Sequence, residues 1–273
     1  MKEITFGQYY PAESFVHKMD ARAKIVLSIA SIVAVFLVSS FHFLGFLACL
    51  TFVLIATLFA RIPILKLLRS IKAVIFIVLL TAILQLLFNQ DGEVLAEFWV
   101  IKITDLGLLN AGFIVSRIIL IVMGASLLTF TTSPVELADG IESLLTPLKF
   151  IKFPVHEFAL IMSIALRFIP TLLDETDRII KAQKARGADF ESGNIFKRAK
   201  ALIPVLIPLL ISSFRRADEL ADAMDARCYA GSKKRTRYKK LKFTYRDLIG
   251  ALIVAGLIAG VVLLNGFYVV LAV

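Results

Sequence analysis

Long apolar runs, separated by short clusters of charged residues, dominate the chain. The first run, residues 25–60, has no charged side chain and would be about 54 Å long as one helix. Because the hydrocarbon core of a membrane is roughly 30 Å thick, this run predicts two spans joined by a tight turn around 39–45. Later apolar runs predict a third span over 73–90, a fourth over 106–132 and a last one over 248–273.

The composition supports a membrane protein. Hydrophobic residues make up 59% of the 273 positions, and the mean hydropathy is +0.84, whereas soluble domains are about half apolar. In such a protein the net charge of +10 first reports orientation, because Lys and Arg accumulate on the cytoplasmic side. The segment 133–247 carries 21 of the 31 Lys and Arg residues against 14 acids. We therefore expect this segment and the amino terminus in the cytosol, and the carboxyl terminus outside.

These patterns predict an all-α integral membrane protein with about five transmembrane helices and three cytosolic or interfacial coupling helices. The amino-terminal segment and the first four spans occupy 1–132, the coupling helices 133–247, and the last span 248–273. Two apolar pieces, 156–170 and 201–214, are short for spans and contain charge or proline, so we expect both to stay outside the membrane.

Helix start and stop signals divide the cytosolic segment. Ser133–Glu136 is a capping box with proline at the first helical position. A second helix is predicted to start near Pro154 or Pro170 and to end at Gly187, since glycine favours the left-handed conformation that terminates helices. A third is predicted over about 214–228.

The second and third of these helices end in similar sequences. Shifting the chain by 41 residues aligns Arg186 with Arg227 and Ala185 with Ala226. Two amphipathic helices of similar composition explain this echo equally well, with each arginine satisfying helix carbonyls or reaching lipid phosphates. The alternative is that two guanidinium groups insert into acidic grooves of a partner, because arginine suits bidentate pairing with carboxylates.

Three regions carry a family resemblance. They are the amino-terminal Phe6–Pro11 with Ser14, His17, Asp20, Arg22 and Lys24; the sequence Thr131–Pro134; and the paired triplets Ala185-Arg186-Gly187 and Ala226-Arg227-Cys228. In their order and spacing they resemble the transmembrane T component of energy-coupling factor (ECF) transporters, the EcfT/CbiQ family. Ala21 stands where that family commonly has proline. Cys228 replaces the usual second glycine, which leaves Gly231 as an alternative helix end.

The resemblance implies a non-catalytic, energy-coupling subunit of an ATP-binding-cassette (ABC) importer in a bacterial or archaeal cell membrane. The triplets Ala185–Gly187 and Ala226–Cys228 would bind two ABC ATPase subunits. A small substrate-binding membrane protein, the S component, would be the other partner, and the cargo would be a vitamin or a metal ion. No catalytic, cofactor or metal site is expected in this chain, and ATP would be used by the partner subunits. The sequence has no nucleotide-binding glycine loop of its own.

Two other features bear on function. Arg117 lies near the middle of the fourth span, where a charge is costly and faces the bundle interior. We predict a structural role for it, with an ion or substrate pathway as the alternative. The basic run 233–242 fits anionic lipid headgroups better than nucleic acid. A self-contained secondary carrier is the competing function, but such carriers carry inverted repeats and ionisable residues at midplane, and only Arg117 qualifies.

Overall fold

Eight α-helices and one short β-hairpin form the described part of the chain. The computed structural model describes residues 9–39, 43–89, 92–98, 101–147, 154–190, 192, 194–229 and 242–271. The predicted all-α membrane class is confirmed. The basic run 233–242, apart from Lys242, lies outside the described residues.

The first apolar run folds as two helices, as predicted. Helix α1 spans Ala21–Leu37 and α2 spans Phe43–Phe59. The carboxylate of Asp20 caps α1 by accepting a hydrogen bond from the Arg22 amide, which satisfies one of the free amides at the helix start. Each helix has 17 residues, so each is about 25 Å long.

The third and fourth predicted spans are helices α3, Ile64–Phe88, and α4, Asp105–Thr131. Helix α3 begins nine residues before the predicted span 73–90. Its first turns, which contain basic residues, extend the helix on the amino-terminal side of the apolar run. An antiparallel hairpin of β1, Val94–Phe98, and β2, Ile101–Thr104, joins the two helices. The sequence analysis did not predict this hairpin.

Helix α5, Pro134–Leu145, starts where the capping box predicts, with the Ser133 hydroxyl accepting from the Glu136 amide. Helix α6 spans Val155–Ala185 and α7 spans Ile195–Ala226. The last helix, α8, is Tyr245–Leu271. In the described residues, α3, α4 and the part of α8 up to Gly266 are long and apolar enough to cross a membrane, and α2 is a shorter apolar helix.

The structure decides between the two predicted starts of α6 and corrects the predicted start of α7. Of the two starts offered for α6, the one near Pro154 is right, and Pro170 lies inside the helix. Helix α7 begins 19 residues before the predicted 214, and includes Pro204 and Pro208. Each interior proline removes one backbone hydrogen bond. The remaining residues of this 32-residue helix can still contribute backbone hydrogen bonds, so the helix continues past both prolines.

The chain forms two compact units. Helices α6 and α7 belong to a unit within His156–Lys240. The other helices and the hairpin belong to a unit within Thr5–Val155 and Leu241–Val273, which we call the bundle unit. In the bundle unit α4 packs against α3, while α1 packs against α4, α5 and α8. The three-segment division of the chain stays a prediction.

Candidate functional site: two matching helix ends

Helix α6 ends in a complete Schellman motif, the common hydrogen-bonded helix ending. Gly187 has a φ of 89°, in the left-handed region that glycine adopts without steric cost. Its amide donates to the Lys184 carbonyl at 3.0 Å, and the Ala188 amide donates to the Gln183 carbonyl at 3.0 Å. These are the two bonds that define the motif. Arg186 is consequently the C-cap residue, which directly follows the last helical residue, Ala185.

Helix α7 ends in the same motif. Cys228 has a φ of 55°, and its amide donates to the Asp225 carbonyl at 2.8 Å. The Tyr229 amide donates to the Met224 carbonyl at 3.0 Å. Arg227 therefore occupies the position that Arg186 occupies in α6, and Ala226 the position of Ala185.

The structure answers the question raised by Cys228. The helix does not continue to Gly231, which lies outside the described residues, because α7 ends at Ala226. Cys228 adopts the left-handed conformation that glycine adopts in the first motif. An L-residue pays about 1–2 kcal/mol for this conformation, so the second helix end has the same geometry at a higher conformational cost.

Both triplets lie on the surface of their unit. Ala185, Arg186, Gly187, Ala226, Arg227 and Cys228 are all exposed. Neither arginine forms an ion pair or side-chain hydrogen bond within the described residues. Each can therefore offer a full guanidinium fork, with its donors arranged to match a carboxylate. Their binding role stays a prediction at this point.

A polar contact joins α6 to α7 away from their ends. Glu175 accepts a hydrogen bond from the Ser212 hydroxyl at 2.5 Å and pairs with the Arg216 guanidinium at 2.6 Å. These hydrogen bonds, first from Ser212 and then from Arg216, lower the pKa of Glu175 below its usual value. This contact is a point at which α6 and α7 meet in the described residues, and we call it the crossing.

The crossing lies at the same distance from both helix ends. Glu175 precedes Arg186 by eleven residues, and Arg216 precedes Arg227 by eleven, which is about 16 Å along each helix. Glu175 and Arg216 are themselves 41 residues apart. The sequence analysis missed this pair, although extending the 41-residue alignment would have placed the two opposite charges at equivalent positions.

The amino-terminal residues of the family resemblance form a network in the bundle unit. The buried Lys24 ammonium donates to the His17 carbonyl at 2.9 Å and to the Thr131 carbonyl at 3.0 Å. The buried carboxylate of Asp247 accepts from the Asp20 amide at 2.9 Å. Two regions of the resemblance, the amino-terminal segment and Thr131–Pro134, thus meet through Lys24. Each contact satisfies polar groups that would be costly to bury unpaired.

His17 lies at the centre of this network. Its Nε2 lies 2.9 Å from the Tyr10 carbonyl and its Nδ1 lies 2.7 Å from the Ser14 hydroxyl. Because a carbonyl only accepts, Nε2 carries the proton and the Ser14 hydroxyl donates to Nδ1. Burial lowers the pKa of His17, which favours this neutral form. These contacts give His17 a positioning role in the amino-terminal segment.

Arg117 of α4 contacts the end of α1. Its Nη2 donates to the carbonyl of Val38, the residue that ends α1, at 2.6 Å, and its guanidinium lies 5.7 Å from the centre of the Phe46 ring. Asn265 of α8 donates to the adjacent Leu37 carbonyl at 2.6 Å. A cation at a helix carboxyl end satisfies free carbonyls and opposes the helix dipole. The structural role of Arg117 stays a prediction, now with a defined partner.

Comparisons with known proteins agree with this architecture. The family described as "CbiQ: Cobalt transport protein" matches residues 12–238. The energy-coupling factor transporter transmembrane protein EcfT of Clostridium kluyveri is 49% identical over 92% of this chain and 93% of its own length. The protein of the same name from Ruminiclostridium cellulolyticum is 50% identical over 91% of this chain and 92% of its own length. That of Bacillus subtilis is 41% identical over 94% and 98%, respectively.

These matches extend over helices α6 and α7 and over most of the bundle unit. The relatives are named as transport components, and the apolar helices of this chain are those of a multi-pass membrane protein. The chain belongs to the EcfT/CbiQ family of transmembrane transport proteins.

Proposed function

We propose that this chain is the energy-coupling membrane subunit of an ECF-type ABC importer. Helices α6 and α7 transmit the motion of two ABC ATPase subunits to a substrate-binding membrane subunit, the S component, for uptake of a vitamin or a metal ion. The pair of matching helix ends, each exposing an unpaired arginine, is the observation that supports this proposal most directly. ATP hydrolysis takes place in the partner subunits, and this chain is non-catalytic.

Each arginine places a guanidinium group at the end of a long helix, where it can bind a partner. Arg186 and Arg227 terminate helices whose last turns are closed by backbone hydrogen bonds, so their positions are defined without a partner. In an acidic groove, a guanidinium group forms two parallel charge-assisted bonds to a carboxylate. One arginine for each of two ATPase subunits gives the stoichiometry of the proposal.

The crossing lets the separate contacts of Arg186 and Arg227 with two ATPase subunits produce one movement of α6 and α7. The Glu175–Arg216 pair joins the helices at the midpoint between equivalent arms of about 16 Å. When the two ATPase subunits approach each other, the arms are displaced together. The crossing then converts that displacement into a rotation of one helix against the other.

The distribution of charge supports an orientation for the proposed complex. With 21 Lys and Arg residues against 14 acids in 133–247, we place α6, α7 and the amino terminus in the cytosol, where the ATPase subunits have access to ATP. The carboxyl terminus then lies outside. A label that modifies an introduced terminal cysteine in intact cells tests this orientation.

Charge reversal of the two arginines tests the proposal. Arg186→Glu and Arg227→Glu each replace a cation with an anion that an acidic groove repels, so each should reduce co-purification of the ATPase subunits, and the double variant should abolish substrate uptake. Lys181→Glu is the matched control, since it makes the same charge change at an exposed position on α6, about 140° around the helix from Arg186.

Uptake and transport measurements distinguish an energy-coupling subunit from a self-contained secondary carrier. Unchanged uptake by the double variant would refute the roles of the arginines. Substrate transport by the purified chain alone, without ATPase subunits, would instead support the self-contained secondary carrier.

A further inference from the structure

An apolar cavity of about 310 Å³ lies in the bundle unit. It is lined by side chains of the amino-terminal segment and of α1, α2, α4 and α8, including Phe15, Met19, Phe52, Phe59 and Ile253. This volume has room for roughly ten groups of the size of a water molecule or a methylene group. The cavity is partly open and has room for part of an acyl chain.

A second cavity, of about 350 Å³, adjoins the first and has the opposite character. Phe15 and Phe59 line both cavities. The second is also lined by three cations, Lys18, Arg61 and Arg246. Glu13 is the acid in its wall and pairs with Lys18 at 3.1 Å. A cavity with a net positive lining therefore lies beside the apolar one, with Phe15 and Phe59 in both walls.

Neither arginine of this site is neutralised by an acid of the described residues, and Arg246 is also held by aromatic contacts. The guanidinium of Arg246 lies 5.9 Å from the Phe15 ring centre and 5.4 Å from that of Tyr245. Its Nε donates to the Tyr245 hydroxyl at 3.3 Å. Neither Arg246 nor Arg61 forms an ion pair with an acid among the described residues. Both retain donors for an anion.

The backbone at Arg61 adds a second observation. Arg61 has a φ of 55° in the turn that ends α2, where its amide donates to the Leu58 carbonyl and the Ile62 amide donates to the Thr57 carbonyl. Glycine would satisfy this geometry without the roughly 1–2 kcal/mol cost of a side chain in the left-handed region. The left-handed turn therefore places the Arg61 side chain in the wall of the second cavity at a conformational cost.

We infer that the paired cavities form a binding site for one anionic phospholipid. One acyl chain occupies the apolar cavity, and the headgroup phosphate binds Arg61 and Arg246, with Lys18 nearby. An aromatic residue with a polar tip, Tyr245, lies at the boundary, as such residues do at membrane interfaces. The bound lipid fills space between α1, α2, α4 and α8, and so stabilises the bundle unit.

The first experiment tests the headgroup. The purified full chain, stripped of lipid, is titrated with phosphatidylglycerol or phosphatidylcholine, and bound lipid is counted by native mass spectrometry. We expect retention of one phosphatidylglycerol in preference to phosphatidylcholine. Arg61→Gln with Arg246→Gln should weaken its retention about 30-fold, from about fivefold for each cation near a lipid surface.

A matched variant separates this site from general attraction to the membrane. Arg69→Gln with Lys72→Gln removes the same charge from exposed positions on α3 that line neither cavity, so retention should fall far less than the roughly 30-fold expected for the first double variant. Equal losses in both double variants would overturn the headgroup site. Arg61→Gly relieves the strained backbone, so it folds readily and should still lose lipid.

The second experiment tests the acyl-chain cavity. Ala56→Phe places a ring inside the apolar cavity and should abolish stoichiometric retention of phosphatidylglycerol. Ala73→Phe, the same change at an exposed position of α3, should have no effect. Ser28→Leu, a smaller filling change in the cavity wall, serves if Ala56→Phe does not fold. Full retention by a folded cavity-filling variant would overturn the proposal, as would loss of the lipid when the chain assembles with its partner proteins, since a polypeptide would then be the occupant.

Discussion

Replacing Cys228 with glycine should strengthen the end of helix α7 without moving Arg227. Cys228 adopts a φ of 55°, for which an L-residue pays about 1–2 kcal/mol relative to glycine. Glycine loses more backbone freedom on folding, which offsets about 0.5–1 kcal/mol of that gain. The expected net effect of Cys228→Gly is stabilisation of the helix end by about 0.5–1 kcal/mol.

Hydrogen exchange measures this effect locally. The Tyr229 amide, bonded to the Met224 carbonyl at 3.0 Å, is protected only while the helix end is closed. Stabilisation by 0.5–1 kcal/mol should slow its exchange by about two- to fivefold. ATPase binding and uptake should be retained, because Arg227 still ends the helix.

The reverse change in the other motif is the matched control. Gly187 has a φ of 89°, and a Cβ added there would meet no atom within 4 Å. Gly187→Ala therefore changes the backbone preference without a steric clash, and, with the same offset for glycine's backbone freedom, should speed exchange of the Ala188 amide by about two- to fivefold. Unchanged exchange in both variants would refute left-handed residues at the two helix ends.

Three further predictions concern the crossing and the bundle unit. Because the hydrogen-bonded Glu175 has a lowered pKa, its contribution to the crossing is present above the usual glutamate pKa of about 4.3 and is lost as pH falls through the lower folded value. Cross-linking of α6 to α7, measured against pH, should show this loss, and Glu175→Gln should remove the pH dependence. Cross-linking that does not change with pH in the unaltered chain would contradict the prediction. Arg117→Gln keeps a donor without the charge and should preserve both assembly and uptake; intact assembly with abolished uptake would favour the ion or substrate pathway. Gly140→Ala should lower the free energy of unfolding by about 1–3 kcal/mol, since the added Cβ lies 3.0–3.3 Å from atoms of α1. The control Gly112→Ala, whose added Cβ meets no atom within 4 Å, should leave stability unchanged or raise it. Equal melting temperatures for the two variants would contradict the close packing of α5 on α1.

The local sequence determined most of the secondary structure and the positions of the helix ends. Apolar runs located the membrane helices, and the Ser133–Glu136 pattern located the start of α5, because both signals act within a few residues. Gly187 located the end of α6 for the same reason, whereas Cys228 left the end of α7 open between this triplet and Gly231. The starts of α6 and α7 were harder to predict, because a long helix can continue through Pro170, Pro204 and Pro208 although each one weakens it.

Tertiary structure decided what lies together. The Glu175–Arg216 contact, the meeting of Lys24 with Thr131, and the adjoining apolar and cationic cavities each join residues that are far apart in the chain. A single sequence shows the periodicity within one helix, but it does not show which faces of different helices meet. It therefore identified the two arginines as ends of helices, whereas the folded chain showed that those ends extend equally from one crossing point.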